Sequence, residues 1–172
     1  MKYCCNKLGM VFTSVMKPLH TKRGVCIIEA KIIDIVNEDD NLKQLFRLIT
    51  SVVGIGFVTA INLLIYTKGF TVLNETRKLA CYCGVAPFEY SSGTSVRGKT
   101  KVHFMANRKL KCNLHMASLS AIKLDTDLKK YYERKVAEGK NKMSVLNAVR
   151  NKLLARIIAV VNNKREYVKK IV

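Results

Sequence analysis

The chain has 172 residues, with 31 Lys and Arg against 12 Asp and Glu, for a formal charge of +19. An apolar fraction of 49% is enough to build a core and excludes wholesale disorder, while 9 Gly and 2 Pro exclude collagen-like and Pro-rich classes. A surplus of this size repels itself in a compact monomer, so it points to a polyanionic partner, with nucleic acid first; a basic ribosomal or chromatin-type structural protein has the same composition.

Residues 1–23 show no clear periodicity and no clean signal peptide, and are expected to form a poorly ordered leader. A helical, coiled-coil-like lead-in is expected over 24–47. Val25, Ile28, Ile32, Ile35 and Val36 recur there at helical steps, Asn37 to Asn41 read as a turn with a helix start, and Leu42, Leu45, Phe46 and Ile49 restore the period. Leu48 to Thr67 contains no charged residue and is long enough to span a bilayer. Its Thr50, Ser51, Thr59 and Asn62, and the Gly54-Ile55-Gly56 break, favour a buried soluble element instead. The spacing predicts a tight turn over Val52 to Gly56, a helix over Phe57 to Tyr66, and another from Thr76 to Cys81 stopped by Gly84 and Pro87.

Residues 88–101 are the least regular part of the body and read as a loop or a loose hairpin. Helices are expected from His103 to Lys123, from Asp127 to Ala137 with Gly139 ending it, and from Met143 to Val161, where Leu146, Val149, Leu153, Ile157 and Val160 form one stripe. The predicted class is mostly α: a helical domain over 48–168 with a helix-hairpin-helix element and an irregular serine loop, preceded by the lead-in. Residues 1–90 carry 11 basic and 7 acidic side chains, net +4, and residues 91–172 carry 20 and 5, net +15, so the polyanion surface belongs mainly to the second half.

The six cysteines, Cys4, Cys5, Cys26, Cys81, Cys83 and Cys112, read as reduced thiols of a cytoplasmic protein. Cys81 and Cys83 with Cys112, His115 and His103 come nearest to a zinc set, but a C-x-C pair is tighter than zinc sites prefer, and buried apolar cysteine is the simpler reading. The acids are scattered, so no carboxylate cluster for two-metal phosphoryl transfer is expected.

Three stretches could carry chemistry. The Gly54-Ile55-Gly56 turn between two apolar helices suits a helix-hairpin-helix element, whose backbone approaches DNA phosphates without reading sequence; an ordinary helix-helix turn is the alternative. A loop with Ser91-Ser92-Gly93 is followed by Arg97, Lys99, Lys101, Arg108, Lys109 and Lys111, with no acid among them. A serine there could attack a phosphodiester while the cations stabilise developing charge on the phosphoryl oxygens, although no base for its proton lies beside it. Lys129 to Lys135, with Tyr131 and Tyr132, suits stacking and phosphate contact or, more simply, a solvated helix face with tyrosine packed inward.

The order of these pieces resembles the C-terminal domain of the "one-ten" class of bacterial insertion-sequence transposases, related to the Piv DNA invertases. The resemblance runs from about Ile27 to Asn162. It is carried by Val53-Gly54-Ile55-Gly56 with Thr59-Ala60, by Leu79 to Pro87, by Ser91-Ser92-Gly93, by Gly98-Lys99, by Ala106-Asn107 with Leu110, by Tyr131-Tyr132 with Gly139-Lys140, and by Asn147 to Leu153. It implies a recombinase whose serine, Ser92 here with Ser91 as the fallback, joins covalently to DNA. The same resemblance implies DNA as partner, an element-encoded guide RNA, homo-oligomers in intact relatives, no membrane, and magnesium held by an acidic N-terminal RuvC-like domain. Residues 1–23 match nothing in that pattern, so the chain is expected to be a truncated member with no cofactor of its own, unable to exchange strands alone. Gly54, Ile55, Gly56, Arg97, Lys99, Lys101, Arg108 and Lys109 are the expected DNA-binding residues. A helix-hairpin-helix protein that holds nucleic acid without chemistry is the competing function.

Overall fold

The computed structural model describes residues 22–92 and 96–169. The expected leader, apart from its last two positions, lies outside the described residues. Among them run seven helices and one two-stranded sheet: α1 (Lys22–Glu38), α2 (Asp40–Thr50), α3 (Phe57–Thr67), α4 (Thr76–Tyr82), β1 (Phe88–Ser92), β2 (Val96–Lys101), α5 (Arg108–Leu124), α6 (Thr126–Ala137) and α7 (Lys142–Asn163). The class is mostly α, as the periodicity predicts.

The helix starts follow from their caps. Asp39 Oδ1 accepts the amides of Asn41 and Leu42 at 2.9 and 3.3 Å, and so separates α2 from α1. Asn107, Asp125 and Asn141 cap α5, α6 and α7 in the same way. Glycine in the left-handed region, Gly139, terminates α6 just past its C-cap Glu138.

Helix α7 is the spine of the core. Val149, Leu153, Leu154 and Ile157 are fully buried against Leu110 and Leu114 of α5, Leu79 of α4, Leu63 of α3 and Ile49 of α2. Helix α1 stands apart from this core. Its Ile28, Ile32 and Val36 pack with Leu42 and Ile61 in a smaller cluster of their own. Val25, near the start of the helix, and Ile33 are about half exposed.

The uncharged run from Leu48 to Thr67 is divided between α2 and α3 by the turn at 51–56, and no described helix is long and apolar enough to cross a membrane. The irregular stretch pairs as an antiparallel hairpin. Phe88 faces Lys101, Tyr90 faces Gly98, Ser91 faces Arg97 and Ser92 faces Val96, with a register irregularity between Phe88 and Tyr90.

Candidate nucleic-acid interface

The hairpin is held at its root by polar contacts from three helices. Asn147 of α7 donates from Nδ2 to the Val85 carbonyl at 2.7 Å, just before β1. Asn107, just after β2, donates its amide to the Tyr82 carbonyl at 2.8 Å and accepts the Leu110 amide at 3.1 Å. Between these ties sits Gly84 at φ +65°, where a Cβ would lie 2.8 Å from Ala106 Cβ and 3.1 Å from Val102 Cγ1. Only glycine lets the two roots of the hairpin approach this closely.

Behind the root lies Arg150, 5% exposed. Its Nη2 is 2.7 Å from His115 Nδ1, and since a guanidinium only donates, the imidazole nitrogen accepts. Its Nε has no partner among the described residues. Burial lowers the pKa of this guanidinium, and nearby Cys112 works in the other direction. In the sequence His115 stands only as a candidate zinc ligand and no site role falls to Asn107, Asn147 or Arg150, although these three lie within the motifs that carry the resemblance.

The expected site residues fall in two places. Ser91, Ser92, Arg97, Lys99 and Lys101 are on the hairpin, where their backbone alone is described. Paired positions in an antiparallel ladder share a face. The register therefore places Ser91 on the face of Arg97, and Ser92 on the face of Val96. Gly93 lies outside the described residues. Arg108 and Lys109 follow after a six-residue link, exposed in the first turn of α5, which contains no acid. Cations at that end oppose the helix dipole at a cost of about 0.3–1 kcal/mol each.

Gly54, Ile55 and Gly56 are elsewhere. Gly54, at φ +93°, is packed against α5, so that a Cβ would stand 2.6 Å from Ala121 Cβ. Ala121 is thirteen residues along α5 from Arg108, about 20 Å at 1.5 Å per residue. Ile55 is a core residue, 6% exposed, and its amide is taken by the Val52 carbonyl at 3.1 Å. Gly56 is exposed with nothing near its Cβ position, and it caps α3 with no side-chain hydrogen bond, leaving the first-turn amides of α3 uncapped.

Near that second end the buried Asp125 joins α5 to α6. It accepts from Arg156 Nη1 at 2.6 Å and from the Asp127 amide at 3.0 Å, and Lys169 Nζ is 3.7 Å away. Burial pushes its pKa up, but Arg156, the Asp127 amide and Lys169 outweigh that and hold the carboxyl below its ordinary range. On the α6–α7 face, Tyr131 is packed against the core, with Lys152 Nζ 3.7 Å above its ring and Arg134 5.8 Å from it. Burial, Arg156, Arg134 and Lys135 together lower the Lys152 pKa.

The cysteines and acids do not gather. Cys83 is buried and its thiol is pushed up to about 12, whereas Cys26 and Cys112 are exposed. Among the described residues no three His, Cys, Asp or Glu side chains come together. The donor set of the described residues therefore does not fit the magnesium tetrad that the resemblance assigns to an N-terminal domain.

The profile described as "Transposase IS116/IS110/IS902 family" matches residues 46–133, from α2 through the hairpin into α6. The chain belongs to the IS116/IS110/IS902 transposase family. It is 26% identical over 153 residues to the "Pilin gene-inverting protein" of Moraxella lacunata and to that of Moraxella bovis, covering 88% of this chain and 48% of each relative. It is 29% identical over 119 residues to the "Insertion element IS110 uncharacterized 43.6 kDa protein" of Streptomyces coelicolor, covering 69% of this chain and 29% of the relative. The chain thus spans about half the length, or less, of the curated relatives it matches. The family's match contains both the two-glycine turn and the serine hairpin.

Proposed function

We propose that this chain is the serine-bearing C-terminal part of an insertion-sequence DNA recombinase, and that the hairpin with the first turn of α5 is its DNA-contacting surface. One observation carries the reading: the cation-bearing strand β2 is joined by a six-residue link to Arg108 and Lys109, placed where the α5 dipole disfavours them and the first turn holds no acid to offset them. A polyanion that occupies this end relieves that cost. Serine beside such a surface can act as a nucleophile. Its Oγ forms a bond to phosphorus as the bond from phosphorus to a deoxyribose oxygen breaks, and the nearby cations stabilise the charge on the phosphoryl oxygens. The serine proton leaves to a base that this reading assigns to the acidic part of full-length relatives.

Ser92 is the first choice of nucleophile on the family pattern. Ser91 is tested beside it because the register pairs Ser91, and not Ser92, with a cation. The purified chain, supplied with the acidic half of a full-length relative and magnesium, is incubated with end-labelled element DNA and run on a denaturing gel. A covalent protein–DNA adduct is expected, lost in Ser92→Ala with DNA affinity kept. An adduct that survives Ser92→Ala and disappears in Ser91→Ala moves the nucleophile by one residue. No adduct from the unmodified chain leaves the non-catalytic holder as the function. Under either reading log affinity falls linearly with log salt as cations release counterions, and a flat response refutes both.

A further inference from the structure

The hairpin root carries a group of exposed apolar side chains. Phe104 is 82% exposed and Met105 73%, and Phe88 at the start of β1 is 47% exposed. They are ordered with respect to one another. The His103 and Phe104 rings are stacked at 4.6 Å and 28°, and Phe88 meets His103 edge-on at 6.4 Å. The Met105 amide donates to His103 Nδ1 at 3.3 Å, which ties the imidazole to the backbone of the same short link. One side of the Phe104 ring is therefore covered by His103, while the residue as a whole stays open to solvent.

We infer that Phe104, backed by His103, is a stacking platform for an unpaired nucleobase of the DNA strand held at the hairpin. The inference rests on the DNA-handling function proposed above and adds a contact to bases rather than phosphates. Charge complementarity favours this occupant over an apolar protein. The exposed Arg108 and Lys109 begin α5 only four residues after Phe104, so one short segment carries both a flat apolar plate and phosphate-seeking cations. A polynucleotide offers both counterparts at that spacing. Stacking on an aromatic ring tolerates any base, because every base has a π-face, whereas a paired duplex keeps its bases stacked on one another and offers none.

The test uses the full chain and a single-stranded oligodeoxynucleotide carrying 2-aminopurine, with the same sequence as a duplex for comparison. Binding is expected to quench the 2-aminopurine fluorescence. Phe104→Ala abolishes the quenching and weakens single-strand binding by about 5-fold to 150-fold, the range of one aromatic stack. It leaves duplex affinity and the salt slope unchanged, and Phe104→Trp restores the quenching. Because Phe104 is exposed, the alanine variant keeps its fold, checked by circular dichroism. Unchanged single-strand binding in Phe104→Ala overturns the inference, and so does an equal loss on duplex. Loss of self-association with single-strand binding intact shows a protein interface instead and also overturns it. If the unmodified chain binds neither strand form, the proposed function fails along with this inference, so the two failures are distinguishable.

Discussion

Gly54 and Gly56 form one motif in sequence, yet the structure gives them different tasks, and alanine at each separates the tasks. At Gly54 an alanine must adopt φ +93°, and its Cβ falls 2.6 Å from Ala121 Cβ and 2.8 Å from the Ala121 backbone nitrogen and Cα. The left-handed conformation costs an L-residue about 1–2 kcal/mol. Forcing a methyl into a packed contact costs about 1–3 kcal/mol, and here the neighbour is helix backbone that cannot swing away. Together these predict a loss of about 2–5 kcal/mol for Gly54→Ala. For a chain of this length that is a fall in Tm of about 4–20 °C. Gly56 has no positive φ and nothing within 4 Å of its Cβ position, so Gly56→Ala should cost no more than about 1 kcal/mol, the preference of an N-cap for glycine over alanine. Urea titration followed by circular dichroism measures both. Gly54→Ala within 1 kcal/mol of the parent, or Gly56→Ala as damaging as Gly54→Ala, refutes the assignment of Gly54 to packing against α5.

Asp125→Ala removes the α6 cap and strands a largely buried Arg156, which should cost about 3–4 kcal/mol in the same titration. Because the folded pKa of Asp125 is lowered, its contribution is complete above the unfolded carboxylate range near 3.9 and is lost as pH falls through the folded value. The gap between the parent and Asp125→Asn should therefore stay constant from pH 7 to about 5 and close in stronger acid; a gap that widens in acid contradicts it. With a thiol pushed up to about 12, Cys83 should resist iodoacetamide at pH 8 while exposed Cys26 and Cys112 are modified, as read by peptide mass spectrometry. Asn147→Ala leaves the Val85 carbonyl without its donor and should cost about 1–2 kcal/mol and speed amide exchange in β1 and β2. Arg150→Met, which removes a buried cation with an orphan Nε, should stay within about 1.5 kcal/mol of the parent.

The helices were legible because their burial is written in local spacing. Leu146, Val149, Leu153, Ile157 and Val160 are all buried on α7, and Ile28, Ile32 and Val36 are buried on α1. Val25, placed on the same α1 stripe by its spacing, is about half exposed and lies outside the cluster that Ile28, Ile32 and Val36 form among the described residues. The hairpin was only half legible. Glu89-Tyr90-Ser91-Ser92 and Arg97-Gly98-Lys99-Thr100 lack the alternation of apolar and polar residues that marks a strand with one buried face, so pairing there rests on the backbone ladder. The ties that position the hairpin were not legible at all. Asn147 reaches the Val85 carbonyl across 62 residues and Arg150 reaches His115 across 35. Nor does any pattern near Gly54 announce Ala121, which makes glycine necessary there.

The separation of the two ends explains how so basic a chain can be compact. The hairpin with Arg108 and Lys109 lies at one end of α5, and the Gly54 turn lies at the other, about 20 Å away. At physiological ionic strength charges more than about 8 Å apart are largely screened, so the two ends scarcely repel each other. At the far end Arg156 and Lys169 are further offset by Asp125. Part of the uncompensated charge lies at the hairpin and the first turn of α5, where the proposed strand would offset it, and part lies on the α6–α7 face, where Arg156, Arg134 and Lys135 crowd Lys152. The same 20 Å bears on mechanism. Successive phosphates on one strand are about 3.4 Å apart along the helix axis, so the uncapped amides of α3 and the serine hairpin would meet the backbone about six steps apart if they met one straight strand. On the proposed function, the turn and the hairpin would therefore contact different phosphates of one straight strand, with the turn fixing its register.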